Sequence, residues 1–245
     1  MKTSKELKQL AKNNLHGRWG QAVLLNIIPT LITVIGILVV FFSKIFFDFN
    51  NVNHAISLRE LINYATNNSD NWAMNIISGI ISALFMSGIS WTYLDILRKK
   101  RSSIKPFKDA FRGFRVLVIW NIVLLTLVIM VFTSLWSLLF IIPGIIKSYS
   151  YSQSYFIYYD IVIQTGKKPK VLDVITSSKE LMNGYKWNLF WLNLTFIGWH
   201  ILSILTLGIG YLWLNPYICA TEAAFYNELS KDILGNRLMD ENKEN

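Results

Sequence analysis

Residues 116–142 contain no Lys, Arg, Asp or Glu. A transmembrane helix needs roughly 20 predominantly apolar residues to cross about 30 Å of hydrocarbon, and this stretch exceeds that length. Its Leu, Ile, Val and Phe side chains favour insertion and together outweigh the cost of Asn121 and the hydroxyl groups. The stretch therefore predicts a helix that spans a membrane.

The composition of the whole chain leads to the same prediction. Of the 245 residues, 53% are hydrophobic and 16% are charged, which is too apolar for a soluble domain of this size. The net charge of +9 could suggest a nucleic-acid partner, but the basic residues lie in short segments between apolar runs and not on one folded face. We therefore predict an all-α, polytopic membrane protein whose phosphate contacts are with membrane lipids and not with nucleic acid.

A basic amphipathic pattern precedes the uncharged stretch. Apolar residues recur at helical spacing, and basic residues lie between them. The apolar positions are Phe107, Ala110, Phe111 and Phe114, and the basic positions are Lys105, Lys108, Arg112 and Arg115. The pattern is typical of a helix lying on a membrane surface, and we expect it to turn at Gly113 into the spanning helix. We call this unit an elbow helix and predict two more, which turn at Gly17 and Gly184.

Spacing indicates three copies of one membrane hairpin. Gly113 and Trp120 recur as Gly184 and Trp191 at a constant offset. The predicted architecture is six transmembrane helices, with spans at residues 21–43, 72–94, 116–142, 145–163, 187–207 and 211–229 and an outer loop at 44–71. These form a single integral membrane domain, 1–245, with repeat 1 at about 4–101, repeat 2 at about 103–165, repeat 3 at about 170–230 and a polar tail at 231–245. Each repeat is an elbow helix, an outgoing span and a return span.

Each return span ends with an aromatic residue and an acid two positions apart. The pairs are Tyr93 with Asp95, Tyr158 with Asp160, and Tyr226 with Glu228. A tyrosine suits the headgroup level of a membrane, and an acid just beyond it can pair with the lysines and arginines of the elbow helices. We expect interfacial ion pairs here, in preference to catalytic carboxylates.

Lys and Arg are distributed unevenly between the two predicted faces. Five lie in residues 1–18, eight in 98–115, five in 167–186 and three in the tail, whereas the predicted outer segments hold only Lys44, Arg59 and Lys147. Cytoplasmic loops carry the excess of basic residues in membrane proteins. Both termini are therefore predicted to be cytoplasmic.

The candidate functional residues form two groups. The return span at 145–163 is rich in hydroxyl groups, so we expect it to face other helices or a wet cavity, with ionisable residues of the last two spans as gating or proton-coupling groups. The candidate cavity residues are Ser148, Tyr151, Ser152, Tyr155, Tyr159, His200 and Glu222. His200 could instead simply form a hydrogen bond with Ser203. The candidate lipid-headgroup residues are Arg18, Lys108, Arg112, Arg115 and Lys186.

No sequence motif indicates an enzyme. The chain has no GxxxxGK[ST] phosphate loop, no HExxH, no GxSxG and no acid cluster at metal-binding spacing. Its single cysteine, Cys219, excludes an intramolecular disulfide and a site built on several thiolates. We therefore predict no catalytic residue, no cofactor and no metal, and a membrane hydrolase is a distant third possibility.

The turn and helix-end motifs of the chain also carry a family resemblance. They are Pro143-Gly144-Ile145 before the Ser/Tyr-rich helix, Ser178 to Met182 with Gly184, Leu207-Gly208-Ile209-Gly210, Pro216-Tyr217 and Phe225-Tyr226. In these motifs the chain resembles, over nearly its whole length, the bacterial integral membrane family catalogued as domain of unknown function 975. The resemblance implies a multi-span protein of the Gram-positive cytoplasmic membrane. It also implies a distant similarity to the membrane portions of some glycerophosphodiester phosphodiesterases, but without their soluble domain that activity is not implied.

Two classes of function remain open from the sequence. The first is a non-enzymatic membrane protein that binds lipids of the anionic inner leaflet or a membrane-protein partner, in envelope homeostasis or stress resistance. Each Lys or Arg near that leaflet contributes about 1 kcal/mol of attraction. The second is a transporter or exporter of a small or amphipathic solute, lined by the Ser/Tyr-rich fourth span. A continuous or alternately open cavity at that span would favour the second class.

Overall fold

The computed structural model describes the backbone of residues 1–31, 42, 46 and 72–244, and the side chains of 1–31, 42, 46 and 75–231. The predicted outer loop and most of the first predicted span beyond Leu31 lie outside the described residues. Within the described ranges every regular element is helical, which confirms the all-α prediction. In chain order the elements are α1 (Ser4–Leu15), α2 (Trp19–Leu31), α3 (Trp72–Leu97), α4 (Pro106–Ala110), a 3-10 turn (Phe111–Phe114), α5 (Ile119–Leu139), α6 (Ile141–Tyr151), α7 (Ser154–Thr165), α8 (Val171–Leu181), α9 (Lys186–Leu194), α10 (Ile197–Leu205) and α11 (Tyr211–Glu244).

Three helices in the described ranges are long and apolar enough to cross a membrane, where the sequence predicted six. They are Asn75–Leu97, Ile119–Leu139 and the combined stretch of α9 and α10, Lys186–Leu205. The predicted fourth span is interrupted at Ser152 and Gln153, so α6 and α7 have only 11 and 12 residues. Neither is long enough to cross alone.

The last helix is longer than predicted. α11 has 34 residues and runs to Glu244, so the polar tail expected to begin at residue 231 continues the helix. The tail sequence has no proline and consists largely of good helix formers, which explains why the helix does not end at Leu229. Its polar second half also lowers the apolar character of the helix as a whole.

α3 and α11 form the buried centre of the structure and pack against each other. Of the apolar window in α3, 61% is buried, whereas the windows of α5 and of the α9–α10 stretch are only 17% and 22% buried. The peripheral helices expose many large apolar side chains, among them Trp120, Leu138, Phe140, Leu205 and Leu207. A surface of this kind is stable against hydrocarbon and costly against water.

α1 and α8 bury their apolar faces against other helices. A capping box between Thr3 and Glu6 starts α1, and its residues Leu7, Ala11 and Leu15 are almost completely buried. On α8 the buried residues are Val171, Val174, Ile175 and Ser178. The sequence placed these faces on a membrane surface, but the neighbouring helices cover the apolar stripes because α1 packs along α11 and α8 packs along α6 and α7.

The three predicted elbow turns do not share one backbone geometry. Gly17 and Gly184 have left-handed φ values of 74° and 82°, which glycine adopts without steric cost. Gly113 instead lies inside the 3-10 turn and touches α3. A Cβ at this position would overlap the Leu84 carbonyl oxygen and lie 2.7 Å from Ser87 Oγ. Gly113 is therefore required for close packing and not for the turn.

Two helix hairpins reverse with different backbone geometry but share one contact after the reversal. The first reverses at Phe140, whose backbone is extended, and not between residues 142 and 145, where one predicted span ends and the next begins. The second reverses at Leu207 and Gly208, both with positive φ. After each reversal a glycine lies directly against a serine of the preceding helix, Gly144 against Ser137 and Gly210 against Ser203.

Candidate functional site

Asp95 lies in a buried cluster that joins α3, α7 and the segment before α5. Arg112 Nη2 donates to Asp95 Oδ2 at 2.9 Å, and Tyr159 Oη donates to Asp95 Oδ1 at 2.7 Å. Arg112 Nη1 also donates to Thr92 Oγ1 at 3.0 Å. The carboxylate and the guanidinium thus neutralise each other, so this arginine is already engaged within the protein.

Asp160 forms a second cluster at the ends of three helices. Arg98, just after α3, donates through both terminal nitrogens to the Asp160 carboxylate of α7, with Nη2 to Oδ2 at 2.9 Å. On α11, Tyr226 Oη donates to Asp160 at 2.7 Å and Asn227 Oδ1 accepts from Arg98 Nε at 3.0 Å. Burial alone would lower the pKa of Arg98, but the hydrogen bond and charge of Asp160 outweigh burial and raise that pKa.

Glu228 forms the third acid cluster, with Lys2 and Lys231. Each of the three acids is therefore paired with a basic residue, but only Asp95 is paired with a residue of a predicted elbow helix, Arg112. Arg98 lies in the turn after α3, Lys2 precedes α1 and Lys231 lies in α11. The aromatic partners differ from the predicted ones. Tyr159, and not Tyr93, donates to Asp95, and Tyr226, and not Tyr158, donates to Asp160. Tyr93 instead accepts a hydrogen bond from Asn26 Nδ2 at 2.6 Å.

A basic groove lies beside the first cluster. It encloses about 230 Å³ and is lined by Trp91, Arg112, Arg115, Val118, Tyr158, Tyr159, Val162 and Ile163. Arg115 is exposed and forms no ion pair with a residue that the structure describes. Val116 and Leu117 follow it and are also strongly exposed. The groove thus combines one uncompensated cation with aromatic and aliphatic walls.

The other predicted headgroup residues are dispersed. Arg18 donates to the backbone carbonyls of Ser102 and Asn14, at 2.7 and 3.1 Å, so it connects the first turn to the segment before α4. Lys108 is exposed and Lys186 is half-buried, and neither lines the basic groove. Of the five predicted residues, the structure brings only Arg112 and Arg115 together.

A polar cavity opens where the Ser/Tyr-rich segment is interrupted. It encloses about 270 Å³ and is lined by Ser148, Tyr149, Ser152, Gln153, Phe156, Leu189, Asn193 and Glu222. Three predicted cavity residues, Ser148, Ser152 and Glu222, therefore meet, although they come from α6, the interruption and α11. The prediction that this segment faces other helices is also confirmed, because Ser150, Gln153 and Ser154 are buried.

The remaining candidates point elsewhere. Tyr151 packs against Phe132 of α5, with ring centroids 6.2 Å apart. Tyr155 Oη lies 2.9 Å from Thr126 Oγ1, and Tyr159 belongs to the Asp95 cluster. These tyrosines hold α6 and α7 against their neighbours and do not line the polar cavity.

His200 is separated from Glu222. Its Nδ1 lies 3.4 Å from the hydroxyl of Tyr211, the first residue of α11. Tyr211 precedes Glu222 by about 16 Å along the helix. Ser203, the other predicted partner, donates to the Trp199 carbonyl at 2.8 Å. The two ionisable candidates therefore belong to different parts of the structure.

Sequence reasoning did not single out Gln153 or Asn193. Gln153 lies among hydroxyl residues at the interruption and Asn193 lies in the otherwise mostly apolar α9, and a polar amide within a predicted span is the signal that could have identified them. Over the described residues, no three His, Cys, Asp or Glu side chains are arranged to hold a metal ion.

Over the described residues these features define a helical protein with many exposed apolar side chains, three paired acid clusters, a basic groove and a polar cavity. The chain matches the family described as protein of unknown function (DUF975) over residues 1–158 and 138–232. It therefore belongs to this family. Neither a curated protein nor a solved structure matches it.

Proposed function

We propose that this chain is a non-enzymatic, multi-span protein of the bacterial cytoplasmic membrane that binds anionic lipid headgroups in envelope homeostasis or stress resistance. The basic groove is the single observation that carries the proposal. We further propose six spans in three repeats, with both termini in the cytoplasm. A membrane-protein partner is compatible with the same location.

The distribution of apolar surface supports a membrane location. α5 and the α9–α10 stretch are long enough to cross a bilayer, yet few of their apolar side chains are buried inside the protein. Their tips, at Phe140 and at Leu207, carry some of the most exposed apolar residues of the described chain. In water this surface would drive aggregation, whereas in hydrocarbon it needs no further partner.

Corresponding contacts support three repeats. Each elbow segment contacts a return segment ten or eleven residues before the acid at the end of that segment. Gly113 lies against Leu84 on α3, Ser178 Oγ of α8 donates to the Ser150 carbonyl at 2.9 Å, and Lys12 of α1 lies over the Tyr217 ring of α11. The contacted residue precedes Asp95 in the first case, Asp160 in the second and Glu228 in the third. Such a recurrence is expected if the three hairpins are copies arranged around a common centre.

The charge balance of the basic groove supports an anionic lipid. Arg112 is neutralised by Asp95, so Arg115 supplies one net positive charge beside exposed apolar residues. A phosphodiester carries one negative charge and joins it to acyl chains, so the phosphate would contact Arg115 while the chains follow Val116 and Leu117.

Replacing Arg115 by glutamine should weaken the binding of phosphatidylglycerol about fivefold, the equivalent of about 1 kcal/mol for one basic residue. Native mass spectrometry of the detergent-purified protein would measure the affinity for phosphatidylglycerol and for phosphatidylcholine. Lys100→Gln removes the same charge from an exposed site outside the groove and is the matched control. Equal affinities for the two lipids, or an equal loss in both variants, would contradict the proposal.

A second candidate function is solute transport through the polar cavity. It is favoured by one observation, the interruption at Ser152 and Gln153 that opens a helix pair beside Glu222. Interrupted helices often form substrate sites in transporters because their free backbone groups contact the ligand. Transport through this cavity predicts solute uptake into vesicles that depends on Glu222. Proton coupling through both Glu222 and His200 predicts that proton-driven uptake is lost when both residues are replaced by alanine.

A further inference from the structure

Several groups of the polar cavity can only accept a further hydrogen bond, although the Tyr149 hydroxyl and the Asn193 amide that also line it can donate. Ser148 Oγ donates its proton to the Ile145 carbonyl at 2.8 Å, and Ser152 Oγ donates to the Tyr149 carbonyl at 2.9 Å. Both hydroxyl oxygens can therefore only accept a further hydrogen bond. Gln153 Nε2 donates to Ser152 Oγ at 2.9 Å, which uses one of its two N–H groups.

Gln153 leaves an acceptor without a partner. Its side chain is 98% buried, with 2% exposed, and its Oε1 accepts no hydrogen bond from the described residues. The Gln153 amide is oriented by its hydrogen bond with Ser152. Ser152 Oγ already donates its only proton to the Tyr149 carbonyl, so the amide atom that faces it must be the nitrogen, which donates. A buried carbonyl without a donor costs about 1–3 kcal/mol, which a ligand with N–H groups would offset.

Glu222 adds a carboxylate to these acceptors. It is half-buried, it forms no hydrogen bond or ion pair with the described part of the chain, and it is the one charged residue among those that line the polar cavity. A charge inside an apolar bundle is costly unless it is paired. One carboxylate matches one positive charge, which disfavours the divalent cations because they generally recruit more anionic oxygens.

The walls of the polar cavity select an organic cation. Tyr149, Phe156 and Leu189 surround the polar groups, and aromatic faces attract ammonium groups that carry an apolar stem. A quaternary ammonium has no N–H to satisfy Gln153, whereas a primary ammonium has three. We propose that the polar cavity binds the protonated primary amine of an aliphatic molecule, with Glu222, Gln153 Oε1 and Ser148 Oγ as acceptors. This site lies apart from the basic groove and does not depend on the lipid proposal.

Titration calorimetry of the detergent-purified protein with hexylamine, at a pH where it is protonated, tests this site. Hexanol, with the same stem and no charge, and tetraethylammonium, with charge and no N–H, are expected to bind at least roughly tenfold more weakly. Glu222→Gln should reduce hexylamine affinity by the same factor, whereas Glu180→Gln, at an exposed acid of α8, should leave it unchanged. Gln153→Leu, which removes the unpaired acceptor, provides a second variant should Glu222→Gln fail to fold.

Equal binding of hexylamine and hexanol, or undiminished hexylamine affinity in a folded Glu222→Gln or Gln153→Leu variant, would overturn the proposal. The amine could come from a free molecule or from an aminolipid headgroup, and nanodiscs distinguish the two. Displacement of hexylamine by phosphatidylethanolamine, but not by phosphatidylcholine, identifies a lipid headgroup, and retention in both identifies a free amine. Phosphatidylglycerol binding at Arg115 is a separate measurement, so failure of one proposal leaves the other standing.

Discussion

Replacing Arg98 by methionine should lower the free energy of unfolding by about 3–5 kcal/mol. Methionine keeps much of the side-chain volume but removes the cation that Asp160 and Asn227 bind. The Asp160 carboxylate, which is largely buried with a side chain only 14% exposed, would then keep only the hydrogen bond from Tyr226. Because Arg98 contacts α7 and α11 from the end of α3, its loss would loosen all three helices at once.

The buried thiol of Cys219 provides the measurement. It is the single cysteine of the chain and is only 4% exposed, so a fluorogenic maleimide reacts with it as the surrounding helices separate. Arg98→Met should lower the temperature of this reaction by roughly 6 °C or more. Lys100→Met, at an exposed position of the same basic run, should have little effect. A double variant with Asp160→Leu should recover part of the loss, because the unpaired carboxylate is removed with its partner.

A single methyl group at Gly113 should lower the free energy of unfolding by about 1–3 kcal/mol. The added Cβ would overlap the Leu84 carbonyl oxygen and approach Ser87 Oγ. A backbone carbonyl inside a helix cannot rotate away as a flexible side chain can. Gly113→Ala should therefore push the 3-10 turn away from α3 and displace Arg112 from Asp95.

Gly20→Ala is the matched control for Gly113→Ala. No atom lies within 4 Å of a Cβ at Gly20 among the described residues, and alanine is the better helix former. This variant should be as stable as the parent or slightly more stable, in the same Cys219 assay. Equal stability of the two variants would show that the turn does not pack closely against α3.

The fold class was readable from the sequence because apolar helices leave a simple compositional signal. The packing of α1 and α8 was not, since an amphipathic stripe looks the same whether lipid or protein covers it. The interruption at Ser152 and Gln153 also left no signal, because neither residue is a proline or a glycine. Nothing in the local sequence distinguishes this interruption from a continuous helix.

Some residues of the polar cavity could also be predicted from the sequence. Polar residues in an apolar segment must find partners, and on this ground the sequence indicated Ser148, Ser152 and Glu222, which line the polar cavity. The partners themselves depend on how distant helices meet. Tyr159 therefore turned out to bind Asp95, and His200 was found beside Tyr211 and far from Glu222.

The central claim is that the chain crosses the membrane in hairpins and returns each time to the cytoplasm. Single cysteines at Lys100, Lys168 and Leu207, in a Cys219→Ala background, test it with a membrane-impermeant maleimide on intact cells. All three positions are exposed. We expect labelling of the Leu207 variant from outside, and of the Lys100 and Lys168 variants only after permeabilisation. Labelling of Lys100 and Lys168 from opposite sides, or of Leu207 from the same side as both, would contradict the account.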